Sequence, residues 1–129
     1  MAYNELMIEK LISIVELNEF SNFAKKHLTV EEYNSIINYI AINPEEGDIL
    51  QGSGGLRKLR FAIKNKGKSA GIRVIHFYHN DDMPVFLITA FLKSDMENIT
   101  KDACNEFKKL TELIVKSYNN RGKNGKNKS

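Results

Sequence analysis

Apolar positions fall into segments with two different periods. Leu11 to Leu17 is rich in β-branched residues and predicts a strand. Glu19 to Leu28 predicts a short helix with Phe20, Phe23, Ala24 and Leu28 along one side. Thr29-Val30-Glu31-Glu32 has the spacing of a capping box, in which the Thr29 hydroxyl accepts from the Glu32 N–H and the Glu32 carboxylate accepts from the Thr29 N–H. The helix it opens repeats Tyr33, Ile36, Ile37 and Ile40 at helical spacing. Asn43-Pro44 ends that helix, because the residue before proline disfavours the α region, and the acidic loop Glu45 to Asp48 follows.

The period then changes to two. From Leu56 to Ile63, residues Leu59, Phe61 and Ile63 share one face, and Lys58 and Arg60 share the other. Lys64 to Gly71 is a polar hairpin tip. Ile72 to Tyr78 is a second strand, with Arg73, Ile75 and Phe77 on one face. Asn80-Asp81-Asp82 makes a turn. Val85 to Leu92 is apolar on both faces, which predicts a central strand. Thr100 can cap a last helix, whose stripe is Ala103, Phe107, Leu110 and Ile114.

The predicted order is β-α-α-β-β-β-α. Three consecutive strands with tight connections form an antiparallel meander, and the helical pair covers one face of it. The fold class is α+β. Residues 1–10 read as an N-terminal extension and 11–116 as the domain. Residues 117–129 are Asn, Gly, Lys and Arg with almost nothing apolar, and read as a disordered basic tail.

Composition narrows the class. The 129 residues suffice for one domain and one core. Apolar residues make up 42% and charged residues 27%, which suits a globular rather than a disordered chain. The longest apolar run, Val85 to Leu92, is a buried strand and far too short for a membrane span. Met1 to Glu5 shows no secretory signal pattern. Cys104 is the sole cysteine, so neither an internal disulfide nor a cysteine zinc site can form, and on its helix it reads as a small buried hydrophobe. The expected location is cytoplasmic.

The net charge of +3 conceals a strong segregation. Residues 1–50 carry −6, residues 51–79 carry +7 with no acid, residues 80–113 carry −3, and residues 114–129 carry +5 with no acid. A basic block of that density inside a fold calls for an anion, and a polyphosphate is the obvious one.

Several motifs carry less than they suggest. Ala62 to Ser69 fits a loosened Walker A pattern, but a strand follows it where a P-loop requires a helix. His76 and His79 lie three apart on a strand, on opposite faces, so they cannot act together at one atom. His76 is expected to be packed. His27 stands at a helix C-terminus, where positive charge is favourable. Residues 49–80 hold no carboxylate, which argues against two-metal nuclease chemistry. No metal site and no cofactor are expected, and the acids of residues 1–48 read mostly as solvated surface.

The basic set is the informative one. Arg57, Lys58, Arg60 and Arg73 have few local acids to pair with, and arginine forms bidentate pairs with phosphate. Lys58, Arg60 and Arg73 share strand parity, and Ser53-Gly54-Gly55 leaves room for a close approach from below. Lys64, Lys66 and Lys68 on the hairpin tip, together with Arg57 and His79, are candidate phosphate contacts.

Gly52 to Phe61, Gly67-Lys68, Gly71 to Ile75 and Phe91 to Ser94 together resemble the HigB branch of the RelE/ParE toxin superfamily. Leu28 to Tyr33 and Asn43 to Asp48 are also typical of that branch. The resemblance spans about residues 11–115. It implies a toxin of a type II toxin–antitoxin pair, held inactive by a helix-turn-helix antitoxin, that cuts translating mRNA on the ribosome without metal. It further implies Lys58 as base or substrate-positioning lysine, Arg60 and Arg73 as a phosphate clamp, and Lys93 beside the leaving group. Arg57, Arg60 and Arg73 are expected to crowd Lys58 and disfavour its charged form, which would suit a base. Ile99 stands near the position where many members carry a base-stacking tyrosine; Tyr118 is the other aromatic candidate, and core packing is its expected role. The alternatives are a ParE-like inhibitor of gyrase without nuclease activity, and a non-toxic RNA- or phosphate-binding module.

Overall fold

The computed structural model describes residues 12–62, 71–95 and 99–128, with side chains through Asn120. The N-terminal extension, the hairpin tip with Lys64, Lys66 and Lys68, and all of the Walker-like segment but Ala62 lie outside the described residues.

The elements in chain order are β1 (Ile14–Glu16), α1 (Asn18–His27), α2 (Val30–Ile42), β2 (Asp48–Ile49), β3 (Leu56–Ala62), β4 (Gly71–Phe77), β5 (Val85–Leu92) and α3 (Lys101–Lys128). The five strands form one sheet in the spatial order β1-β5-β4-β3-β2. The meander β3-β4-β5 is antiparallel throughout, as the alternation predicts. The fold is α+β.

Two features of the sheet escape the sequence pattern. β1 is only Ile14–Glu16 and pairs parallel with β5, so β5 is central, flanked on both sides. Asp48-Ile49, expected within a loop, forms β2 against Lys58 and Arg57. Two residues carry too little pattern for a strand to be recognised.

Helices cover both sheet faces. Phe20 and Ala24 of α1 and Ile36 and Ile40 of α2 pack on Leu59, Ile72, Val74, Val85, Leu87 and Ala90. Phe107, Leu110, Ile114, Val115 and Tyr118 of α3 pack on the opposite face, against Leu56, Ile75, Phe77, Met83, Phe86, Ile88 and Phe91. The capping box forms as its spacing requires: the Glu32 N–H donates to Thr29 Oγ1 at 3.1 Å and the Thr29 N–H to Glu32 Oε1 at 2.9 Å.

β5 serves both cores through a bulge. Ile75 pairs with Thr89, while His76 pairs with Leu87, so Ile88 has no opposite residue. Strict alternation would put Val85 and Leu87 on the Phe91 face. The extra residue turns them toward α1 and α2, and turns Phe86 and Ile88 toward α3.

Residues 52–55 form a tied turn. Ser53 is buried, and its hydroxyl donates to the Leu50 carbonyl and accepts the Leu56 N–H at 3.0 Å. Gly54 has φ +78°, and a Cβ there would lie 2.6 Å from Thr111 Oγ1. The room that this glycine leaves is therefore filled by α3 and is not open to a ligand.

The last helix also departs from expectation. Its backbone remains helical to Lys128, across the stretch that reads as a disordered tail. Tyr118 explains the first part of the extension. It packs in the α3 core, 6.0 Å from Phe86 between ring centroids.

Candidate active site

The register of β3 and β4 decides which basic residues meet. Arg60 pairs with Arg73, Lys58 with Ile75, and Ala62 with Gly71. On β5, Phe91 continues the Arg60–Arg73 row and Thr89 continues the Lys58–Ile75 row. The Lys93 N–H donates to the Gly71 carbonyl at 3.0 Å, which adds Lys93 to the Ala62–Gly71 row. Three rows on one sheet face thus carry Lys58, then Arg60 and Arg73, then Lys93. Adjacent rows are about 7 Å apart, so the two lysines flank the arginines from opposite sides.

The outer end of this face, at Arg60, Ala62 and Lys93, is exposed, whereas Ile75 and Phe91 in the same rows are buried in the α3 core. The helix packs over the Leu56, Phe77 and Phe86 end. Arg60 and Lys93 are exposed, and Lys58 and Arg73 are half-buried. Two small residues, Ala62 and Gly71, keep the outer row low. A Cβ built on Gly71 would come within 3.1 Å of Arg73 Nη1, so the guanidinium lies over the glycine, toward the Lys93 row.

Directly opposed side chains on paired strands have Cβ atoms about 4.5–5.5 Å apart, and like charges there are destabilising. Among the described residues, Arg60, Arg73 and Lys93 have no carboxylate within ion-pair distance. The repulsion is therefore left for an external anion to relieve.

The remaining sequence candidates lie elsewhere. Arg57 points to the opposite face, paired across the strands with His76. Its Nη1 donates to the Glu45 carbonyl. Arg57 therefore does not join the charges expected to crowd Lys58: neighbours in a strand point to opposite sides. His79 stacks on Phe77, 6.1 Å between centroids, past the far end of β4. Six extended residues separate it from Arg73, about 20 Å. It shares the face, as parity predicts, but not the cluster.

His76 is fully buried, as expected for a packed histidine. Its Nε2 lies 2.9 Å from the Pro44 carbonyl, and burial lowers its pKa below the usual 6.5. His27 ends α1 with its ring 4.7 Å from Phe23. Cys104 is a half-buried free thiol. Ile99 packs against the α3 core and Tyr118 within it.

Two residues escaped the sequence reading. Thr89 comes onto the basic face beside the Lys58 row, and only the bulge puts it there together with Ile88. Glu16, grouped with the solvated acids, is half-buried and accepts from Ser21 Oγ at 2.8 Å and from the Tyr33 hydroxyl. That contact pushes the Tyr33 phenol up to about 12. It ties β1 to α1 and α2, far from the basic face, and nothing in its spacing announces it.

Fold and face together define a class: a small α+β domain that presents arginine and lysine toward one end of a sheet face. A family model described as the RelE toxin of the RelE / RelB toxin-antitoxin system matches residues 12–126. The chain belongs to this family. It is a toxin of a toxin–antitoxin system, and a cognate antitoxin is its implied partner. No helix among the described residues is long and apolar enough to cross a membrane.

Proposed function

We propose that this toxin is an endoribonuclease of the HigB-like kind, cutting mRNA on the ribosome by attack of a ribose 2′-OH on the adjacent phosphate. The observation that carries this reading is the Arg60–Arg73 pair, opposed across two strands on one sheet face, with a lysine row on either side.

The reaction needs a base at the 2′-OH, positive charge on the phosphate and a proton donor at the leaving oxygen. Arg60 and Arg73 hold the two non-bridging oxygens and take up the charge that develops there. Lys58 accepts the 2′-OH proton from one side as the O2′–P bond forms. Lys93 donates a proton to O5′ from the other side as the P–O5′ bond breaks. The products are a 2′,3′-cyclic phosphate and a 5′-hydroxyl. The carboxylate-free stretch of residues 49–80 favours cleavage by side-chain cations over cleavage by bound metal. A helix-turn-helix antitoxin is the expected inhibitor, and the cytoplasm the expected site of action.

Pulsed expression followed by mapping of transcript 5′ ends tests the reading. The expected result is discrete cuts inside translated codons, abolished by Arg73→Ala. Intact transcripts with induction of the DNA-damage response would overturn it in favour of gyrase inhibition.

A further inference from the structure

By spacing alone Asp48 belongs to the acidic loop that follows α2. The register gives it another position. In β2 it pairs directly with Lys58, as Ile49 pairs with Arg57. Directly paired residues share a face, so Asp48 extends the Lys58–Ile75–Thr89 row outward to the sheet edge. The Arg60–Arg73–Phe91 row and the Ala62–Gly71–Lys93 row hold no acid. Asp48 is thus a carboxylate at the border of the basic face, level with the lysine on the O2′ side.

The core does not explain why this corner is held so closely, since both side chains of β2 are exposed. Gly47 stands at φ +113°, and a Cβ there would lie 3.0 Å from the Lys58 carbonyl. Both facts require glycine if the chain is to approach β3 at this point. On the other side of β2, the Leu50 N–H donates to the Leu56 carbonyl at 2.9 Å. Arg57 holds the preceding Glu45 carbonyl. An edge fixed in this way, yet burying neither of its own side chains, points to what it presents. Among the described residues the Asp48 carboxylate makes no ion pair and no side-chain hydrogen bond, so its oxygens are not committed to holding the fold.

We propose that Asp48 is a positioning residue that acts through Lys58 in the cleavage step. The proposal rests on the nuclease reading above. Opposed Cβ atoms lie about 4.5–5.5 Å apart, and the flexible four-carbon lysine stem is longer than that gap. Rotation about its own bonds therefore brings the Lys58 Nζ to the carboxylate. A base works best when a further group fixes its orientation. As O2′ attacks phosphorus, its proton moves to the Lys58 Nζ, which becomes an ammonium. The Asp48 carboxylate accepts a hydrogen bond from that ammonium, balances its new charge and stays ionised throughout. Without it, the new positive charge would form one row away from Arg60 and Arg73 with no counter-charge opposite. An acid here also repels RNA phosphate, so it weakens binding unless it acts in the reaction.

The test is cleavage of a defined mRNA on purified ribosomes by the full chain, with the maximal rate and the half-saturating toxin concentration read separately. Asp48→Asn should lower the maximal rate by about 10–100-fold, the cost of a misplaced reacting group. The half-saturating concentration should stay the same or fall, because a negative charge leaves a surface that meets phosphate. Asp48→Glu should recover most of the lost rate, and the urea midpoint should be unchanged in both chains. A rate unchanged or raised in the asparagine chain would overturn the proposal and leave Asp48 a repulsive charge at the rim. So would a slower rate that comes with a lower urea midpoint or a higher half-saturating concentration, which would mark a structural or binding role. A wild-type chain that leaves the mRNA uncut would defeat the nuclease reading, and this proposal with it. A wild-type chain that cuts, beside an equally fast asparagine chain, would defeat this proposal alone.

Discussion

Arg60 and Arg73 stand directly opposite each other across β3 and β4, with no carboxylate between them among the described residues. Two guanidinium groups so placed repel in the free protein and converge on one anion in the complex. Arg60→Ala and Arg73→Ala should each lower transcript cleavage by about 100-fold or more. Neither should lower the urea midpoint, because each removes a repulsion. Cleavage that survives both changes would exclude this face as the site.

Arg57 and His79 should behave differently despite their place in the same basic block. His79→Ala should leave cleavage within about two-fold, since about 20 Å of strand separates it from Arg73. Arg57→Ala removes the donor to the Glu45 carbonyl and should cost about 1.5–3 kcal/mol of stability. Urea unfolding beside a cleavage assay separates the two effects.

Gly54 is held at φ +78°, with α3 pressed against it. Gly54→Ala puts a methyl group 2.6 Å from Thr111 Oγ1 and also strains the backbone. The cost should reach at least about 1–3 kcal/mol. Gly52 is also at positive φ but has open space around it, so Gly52→Ala carries only the backbone part. The difference between the two urea midpoints reports how tightly α3 seats on the turn.

Burial holds His76 neutral, with its folded pKa below the 6.5 of the unfolded chain. The unfolded state therefore binds more protons as pH falls from about 6.5 toward the folded value, and stability falls with it. Below the folded pKa the loss is complete. His76→Gln, which can still donate an N–H toward Pro44, should flatten this part of the stability–pH curve. A curve unchanged by the substitution would mean that another group titrates there.

Tyr33 titrates in the opposite sense. Its hydroxyl donates to Glu16, and the phenol pKa rises from 10.0 to about 12. The protonated form is the one the fold favours, so its contribution is complete below pH 10 and is lost as pH rises through about 12. Tyr33→Phe should cost about 1.5–3 kcal/mol at neutral pH, because it removes a hydrogen bond to a charged group. Thermal melts at pH 7 and pH 11 should show the gap between the two chains narrowing.

Most of the architecture was legible along the chain. The alternation that begins at Leu56 and at Ile72, the helical spacing from Tyr33 to Ile40 and the Thr29–Glu32 box are local signals, and they form β3 (Leu56–Ala62), β4 (Gly71–Phe77), α2 and its cap. The parity that puts Lys58, Arg60 and Arg73 on one face is also local, because a strand alternates by construction. The acid-free stretch from 49 to 80 is visible in the sequence alone. These features determined the fold class, the position of the cations and the kind of ligand they call for.

Other facts depended on register and packing. That Arg60 meets Arg73, rather than passing it at a distance, follows from pairing across a hairpin whose tip carries no register signal. The two-residue β2, the parallel pairing of β1 and the bulge at Ile88 are set by neighbouring strands, and no single segment encodes them. Arg57 and Lys58 are adjacent in sequence and equal in charge, yet only one joins the basic rows. The other is turned by the pleat toward the Glu45 carbonyl, 12 residues earlier in the chain. Charge in a sequence marks a candidate; the sheet decides which charges converge, because convergence requires two strands to be held side by side.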